Sequence, residues 1–280
     1  MSDTKLIAYH GDPELKAQTI AQMKQHRIAD TIIKGHYWQG GKGSAVGCLT
    51  HGLDGGHDQY PELFGIPEWL AHLEDRVFSN LPNDQAKLWQ ERFLSAIQPG
   101  ADFDGLKDRL AILRLRECLR ISSVWDHEYR QQVVDAIEQT IEAIESGTED
   151  ELLRANYAAR LAANDTTLAF SAYSGGLVLD TPASSANSAA NSAALSAWRP
   201  AGYLAAEYSG APALAANAAA RSFANAAALL LVKPIAWAKD PGAADLAAKR
   251  AKSDGNFYAW SEEADRIIAE LEKLGRRGDE

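Results

Sequence analysis

Through the first 150 positions of this 280-residue chain, apolar residues recur at three- and four-residue intervals, and strict alternation is almost absent. A chain patterned in this way folds into helices and has little sheet. Asp12 stands before Pro13, a capping side chain followed by the residue whose missing N–H is harmless in a first helical turn. The helix opened there carries Ile20, Met23, Ile28 and Ile32 and is expected to stop near Gly35. Pro67 opens another, with Trp69, Leu70, Leu73, Val77 and Phe78 on one stripe and Glu74, Asp75 and Arg76 facing away. A third follows Pro82 and carries Trp89, Phe93, Leu94 and Ile97. Residues 106–121 are apolar on most sides, as in a central helix. A fifth helix carries Val133, Val134, Ile137, Ile141 and Ile144, and the last carries Ile267, Ile268, Leu271 and Leu274 after Ser261 as its cap. Leu177 to Leu179 is the only short strand candidate.

Composition shifts near residue 150. From there to about residue 260 alanine rises well above ordinary usage, with Asn, Ser and Tyr interspersed, and the tetrad Asn-Ser-Ala-Ala occurs twice in succession from Asn187. Alanine has the best helix propensity, and Pro182, Pro200, Pro212, Pro234 and Pro241 divide the region into short pieces. Spaced aromatics such as Tyr157, Trp198, Phe223 and Trp237 require a core, so closely packed, repeat-like helices are expected rather than a linker. The reading is an all-α protein: an N-terminal helical part, 1–150, and an Ala-rich helical part, 151–280, packed onto it.

The balance of 38 acidic against 28 basic residues, a net charge of −10, argues against nucleic acid as a partner, because such binding needs a basic surface. Two cysteines, Cys48 and Cys118, make no disulfide framework, and Cys118 falls among leucines as a core residue. The N-terminus has no apolar core of signal-peptide length, and the longest apolar run, near Phe223 to Val232, is too short to cross a bilayer. A soluble cytoplasmic protein is expected.

The stretch from Gly35 to Asp58, GHYWQGGKGSAVGCLTHGLDGGHD, is dense in glycine and holds three of the seven histidines. Glycine serves where a backbone must turn with positive φ or approach another group closely. The candidate ligand-binding residues here are His36, Trp38, Lys42, Ser44 and Asp54. Lys42 is the only Lys or Arg between Lys34 and Arg76 and suits an anionic ligand or an acidic partner group. Ser44 could cap a short helix whose N–H groups face an anion, although neither the P-loop nor the dinucleotide pattern is present. Cys48 is the candidate nucleophile, expected to be partly accessible, with His51 one helical turn on, or His57, as its base. The competing reading of Cys48 is a small buried hydrophobe. His36, Cys48, His51, Asp54 and His57 are permissible zinc ligands, but their spacing matches no metal motif, so no metal is assigned. His26 reads as an edge histidine, and the cofactor is unknown.

The run YWQGGKGSAVGCLTHG, with HDQYPELFGIPEWLAHLEDRVFSNLP and LWQERFLSAIQPGAD after it, resembles a family of hypothetical proteins of bacteria and their phages that also carry Ala-rich helical tails. The resemblance covers about the first third of the chain and implies no activity. In that family a cysteine stands where Ser44 is here, so this chain departs from the Cys-x-x-x-Cys pair. The leading expectation is a binding or interaction protein, a phage or mobile-element accessory factor that engages a protein partner or small anion through residues 35–58. The alternative is a hydrolase or transferase with Cys48 as nucleophile.

Overall fold

Asp12 caps the first long helix as its sequence requires: Oδ1 accepts from the Glu14 N–H at 2.8 Å, and α1 runs Pro13–Ile28. A computed structural model describes residues 5–53, 56–122, 130–148, 150–151, 154–155, 158 and 260–274. Side chains of Cys118 and some of its helical neighbours are outside that description, as are residues 159–259 of the Ala-rich helical part expected over 151–280 and the Leu177–Leu179 candidate. The described residues form an all-α fold with one two-stranded sheet. None of the described helices is long and apolar enough to cross a membrane. By contacts the chain divides into two compact units, Met1–Lys107 with Ser261–Glu280, and Asp108–Trp260.

The first unit begins with the short turn η1, Ala8–Gly11. After α1 come strands β1, Trp38–Gln39, and β2, Lys42–Gly43, and the six-residue helix α2, Ala45–Thr50. The turn η2, Gly56–Gln59, leads into α3, Tyr60–Phe64. Helices α4, Glu68–Asn80, and α5, Asn83–Ala96, follow, each preceded by proline. Leu70, Leu73, Val77 and Phe78 of α4 are buried, as are Trp89, Phe93 and Leu94 of α5 and Met23 of α1. Truncating one such aromatic to alanine costs about 3–5 kcal/mol. Tyr9 is buried with them and donates to the Leu94 carbonyl at 2.7 Å. Arg27 pairs with Glu91, which ties α1 to α5, and Lys87 pairs with Asp30 in the turn after α1. Arg92 pairs with Asp265 of the 260–274 helix at 2.7 Å.

Three expectations are corrected. The first helix ends at Ile28, not near Gly35: Asp30 takes φ +53, and the Thr31 N–H bonds the His26 carbonyl at 3.0 Å. The β-branched run Thr31–Ile33 then pairs as an extended segment, with Gly43 N–H donating to Thr31 at 3.0 Å and Ile33 N–H to Gly43 at 2.8 Å. Glu74 does not face away but is fully buried; it lies four residues from both Leu70 and Phe78, on the apolar stripe itself. Ser261 lies inside a helix already formed at residue 260, and its hydroxyl donates to Gln85 Oε1 at 2.7 Å.

The second unit holds α6, Leu106–Ser122, apart from its first two residues, and α7, Arg130–Ser146. Leu110 and Leu115 of α6 and Ile137, Ile141 and Ile144 of α7 are buried. Arg116 and Glu145 link the two at 3.2 Å. Thr140 is buried without loss because its hydroxyl donates to the Ala136 carbonyl one turn back.

Candidate functional site

Gly40 and Gly41 form the two-residue loop of the β1–β2 hairpin, with φ of +59° and +79°. Two consecutive positive φ values are what the turn matching strand twist demands, and glycine meets both without strain. The chain then folds back onto Tyr37 and Trp38. The Ser44 N–H donates to the carbonyls of His36 and Tyr37 at 2.8 and 3.0 Å. A Cβ on Gly47 would lie 1.7 Å from the Tyr37 carbonyl oxygen, so α2 presses its backbone directly on that residue. A Cβ on Gly52 would lie 2.2 Å from the Trp38 ring. Much of the glycine density therefore serves close packing around two aromatics.

Ser44 is the cap of α2, its hydroxyl accepting from the Gly47 N–H at 3.3 Å. Every residue of α2 is buried, so its first turn does not open onto solvent as an anion seat would. Cys48 is fully buried, and the expectation of an accessible thiol is corrected. Its Sγ–H faces the carbonyls of Gly43 and Thr31 at 3.5 and 3.8 Å, not an imidazole. Burial pushes the thiol up to about 11, against a smaller opposing effect of those carbonyl contacts. A thiol in that state supplies little thiolate at neutral pH.

His51 ends α2 in the left-handed conformation, φ +51, which turns it out of the helix. It joins His26 and Trp38: ring centroids are 5.5 Å apart for His26–His51, 5.8 Å for His26–Trp38 and 6.1 Å for Trp38–His51. Gln22 braces this cluster. Its Nε2 donates to the Cys48 and Leu49 carbonyls, both at 2.9 Å, and lies 3.2 Å from His51 Nε2. The Thr31 hydroxyl donates to the His26 carbonyl at 3.0 Å, so the 2.8 Å contact between Thr31 Oγ1 and His26 Nδ1 is read with the ring nitrogen donating. That tautomer leaves His26 Nε2 as an acceptor. Burial first, and His51 second, hold His26 below its ordinary range.

His57 is elsewhere, stacked on His72 of α4. The three candidate catalytic residues thus occupy three surroundings: Cys48 under the hairpin, His51 beside His26 and Trp38, His57 beside His72. His36 is exposed and contributes its carbonyl to the hairpin base; Lys42 is exposed on β2 and draws Asp30 further below the usual carboxylate range, after Lys87. Asp54 lies outside the described residues. Among the described residues no three His, Cys, Asp or Glu side chains stand so as to hold a metal ion. Sequence reading did not group Gln22, His26 or His72 with this stretch. Only His72 carried a local signal, its four-residue spacing from Glu68.

No family model matches the chain, and neither curated proteins nor solved structures show a match to it.

Proposed function

We propose that this chain is a binding or interaction protein, of the accessory kind found in bacteria and their phages, and that it recognises a protein partner or a small anion through the hairpin face. The observation that supports this most is the part-exposed His26–Trp38–His51 ring cluster beside a hairpin that carries the exposed Lys42 on β2. Rigid amphipathic rings lose little entropy on ordering a ligand, and a single ammonium adds attraction for an anionic group. Tight packing of Gly47 and Gly52 against Tyr37 and Trp38 holds that face in one shape before binding. A hydrolase or transferase built on Cys48 is the weaker reading, because the thiol is buried and held protonated.

Native mass spectrometry of the protein isolated from its own host tests the proposal. Wild type is expected to retain a ligand or partner that Lys42→Ala and His51→Ala lose in part or whole, while Cys48→Ser keeps it. Equal retention by all four proteins would remove the hairpin face from the site.

A further inference from the structure

His57 and His72 lie face to face, with ring centroids 4.0 Å apart and planes 11° from parallel. His57 sits on the single turn η2, and His72 within the 13-residue helix α4. Both side chains are largely out of water, 21% and 32% exposed. Each turns its Nε2 toward a carboxylate of α4: His57 to Asp75 Oδ2 at 3.3 Å, His72 to Glu68 Oε1 at 3.4 Å. The first of these has ion-pair distance without hydrogen-bond alignment, and among the described residues His57 Nε2 has no aligned partner although it is closed off from solvent. The stack also reaches the hairpin. Gly56, next to His57, approaches the Tyr37 ring so closely that a Cβ would lie 2.9 Å from it. Tyr37 in turn bonds Thr50 Oγ1 at 2.6 Å and the Leu53 carbonyl at 2.9 Å.

We propose that the His57–His72 stack is a proton-sensitive latch, fastening η2 to α4 and so holding the end of the 35–58 stretch closed. With one proton on the pair, Asp75 and Glu68 hold the stack together. With two, parallel imidazolium rings at this separation repel, and burial weakens the screening that water would supply. The ring that gives way is His57, because one turn of η2 moves more easily than the middle of a long helix. Burial first, and His57 second, hold His72 below its ordinary range, and Glu68 and Asp75 oppose. Glu74 lies behind Asp75 in the core, and Arg76 follows it on α4. Of the other packed elements, η2 adds Asp58, α3 adds Glu62, and α2 adds the buried Cys48 with His51 at its end. On α5, Lys87 and Glu91 are engaged with Asp30 and Arg27. The latch requires the pair to take up its two protons in separate steps. The consequence for binding rests on the recognition surface proposed above; the latch itself is measured without any ligand.

Hydrogen exchange of the full chain at about pH 7.5 and about pH 5, corrected for intrinsic pH dependence, tests it. Protection across Gly56–Gln59 is expected to fall by about tenfold or more on acidification while α4 stays protected. His57→Phe and His72→Phe each keep a stacked ring without the second charge, so their acid response should shrink to about twofold or less. Unchanged wild-type protection at both pH values, or Phe variants that open as wild type does, would overturn the latch. Should a variant fail to fold, NMR titration of the two imidazoles in wild type decides: separated macroscopic steps support the latch, overlapping independent ones sink it. Acid opening with no change in ligand retention would set aside the recognition surface and leave the latch standing.

Discussion

The carboxyl group of Glu74 on α4 meets the side-chain amide of Gln90 on α5 in the core, where neither residue is more than 1% exposed. The amide satisfies both its neighbours with its nitrogen donating to Glu74 and its oxygen accepting from the Tyr60 hydroxyl at 3.2 Å. Trp89 Nε1 donates to the Glu74 backbone carbonyl at 3.1 Å and completes the arrangement. A carboxyl in such a place is bridged by hydrogen bonds but has no cation beside it in this network.

Glu74 is therefore expected to make the fold less stable as pH rises. Burial first, and Asp75 second, push its carboxyl well above the ordinary range. The native state then keeps a proton that the unfolded state has lost, so the contribution is complete below about pH 4.3 and declines as pH climbs toward the folded value. Glu74→Gln removes that dependence and is expected to be more stable than wild type by about 1 kcal/mol or more at mildly alkaline pH. Glu74→Ala orphans Gln90 and is expected to cost about 1–3 kcal/mol. Urea unfolding at several pH values distinguishes the three proteins; a wild type and a Glu74→Gln variant with parallel pH profiles would show that the group is already ionised in the native state.

Gly47→Ala is expected to destabilise the protein by more than about 2 kcal/mol, despite alanine's better helix propensity. The added carbon would meet the Tyr37 carbonyl, which is backbone and has nowhere to go. Gly40→Asn is the contrast: nothing stands within 4 Å of its Cβ, φ is +59, and asparagine tolerates that region, so the change should stay within about 1 kcal/mol. Thermal melts of both variants check the pair.

His51→Gln should raise the titration midpoint of His26, because it removes a neighbouring imidazole charge. A folded-state midpoint below the usual 6.5 or so means that His26 supports stability fully above that pH and loses its contribution as pH falls toward the folded value. The acid loss of stability should accordingly be smaller in the variant. Imidazole proton shifts followed by NMR from about pH 8 to about pH 5 report the midpoint directly. No movement of His26 in the variant would show that burial alone depresses it.

Cys48 in the native protein should resist a small alkylating reagent at neutral pH and react once the chain is unfolded in urea. Peptide mapping after brief labelling measures this. Rapid native labelling would mean that α2 opens far more readily than its burial implies.

The helical class was legible because periodicity at three to four residues is a local property, and so were the Asp12 cap, the proline before α4 and α5, and the aromatics at Trp89 and Phe93. The hairpin was not legible: two residues per strand are too few for an alternating pattern, and its partner segment, Thr31–Ile33, continued a helical spacing through Ile32. Glu74 was misplaced although its spacing from Leu70 and Phe78 put it on the buried face, because a charge is ordinarily assigned to solvent unless its partner is known. That partner, Gln90, is 16 positions away on another helix.

The sequence by itself determined where α1, α4 and α5 begin, which apolar residues they bury, and that residues 35–58 depart from helical patterning, all of which depend on near neighbours along the chain. Tertiary structure decided what that stretch is: glycines closed around Tyr37 and Trp38, Cys48 sealed beneath them, His51 delivered to His26, and His57 to His72. Those outcomes depend on which backbone approaches which ring across separate turns and helices of the chain, and excluded volume and desolvation act on that approach in space, where spacing along the sequence carries no record of it.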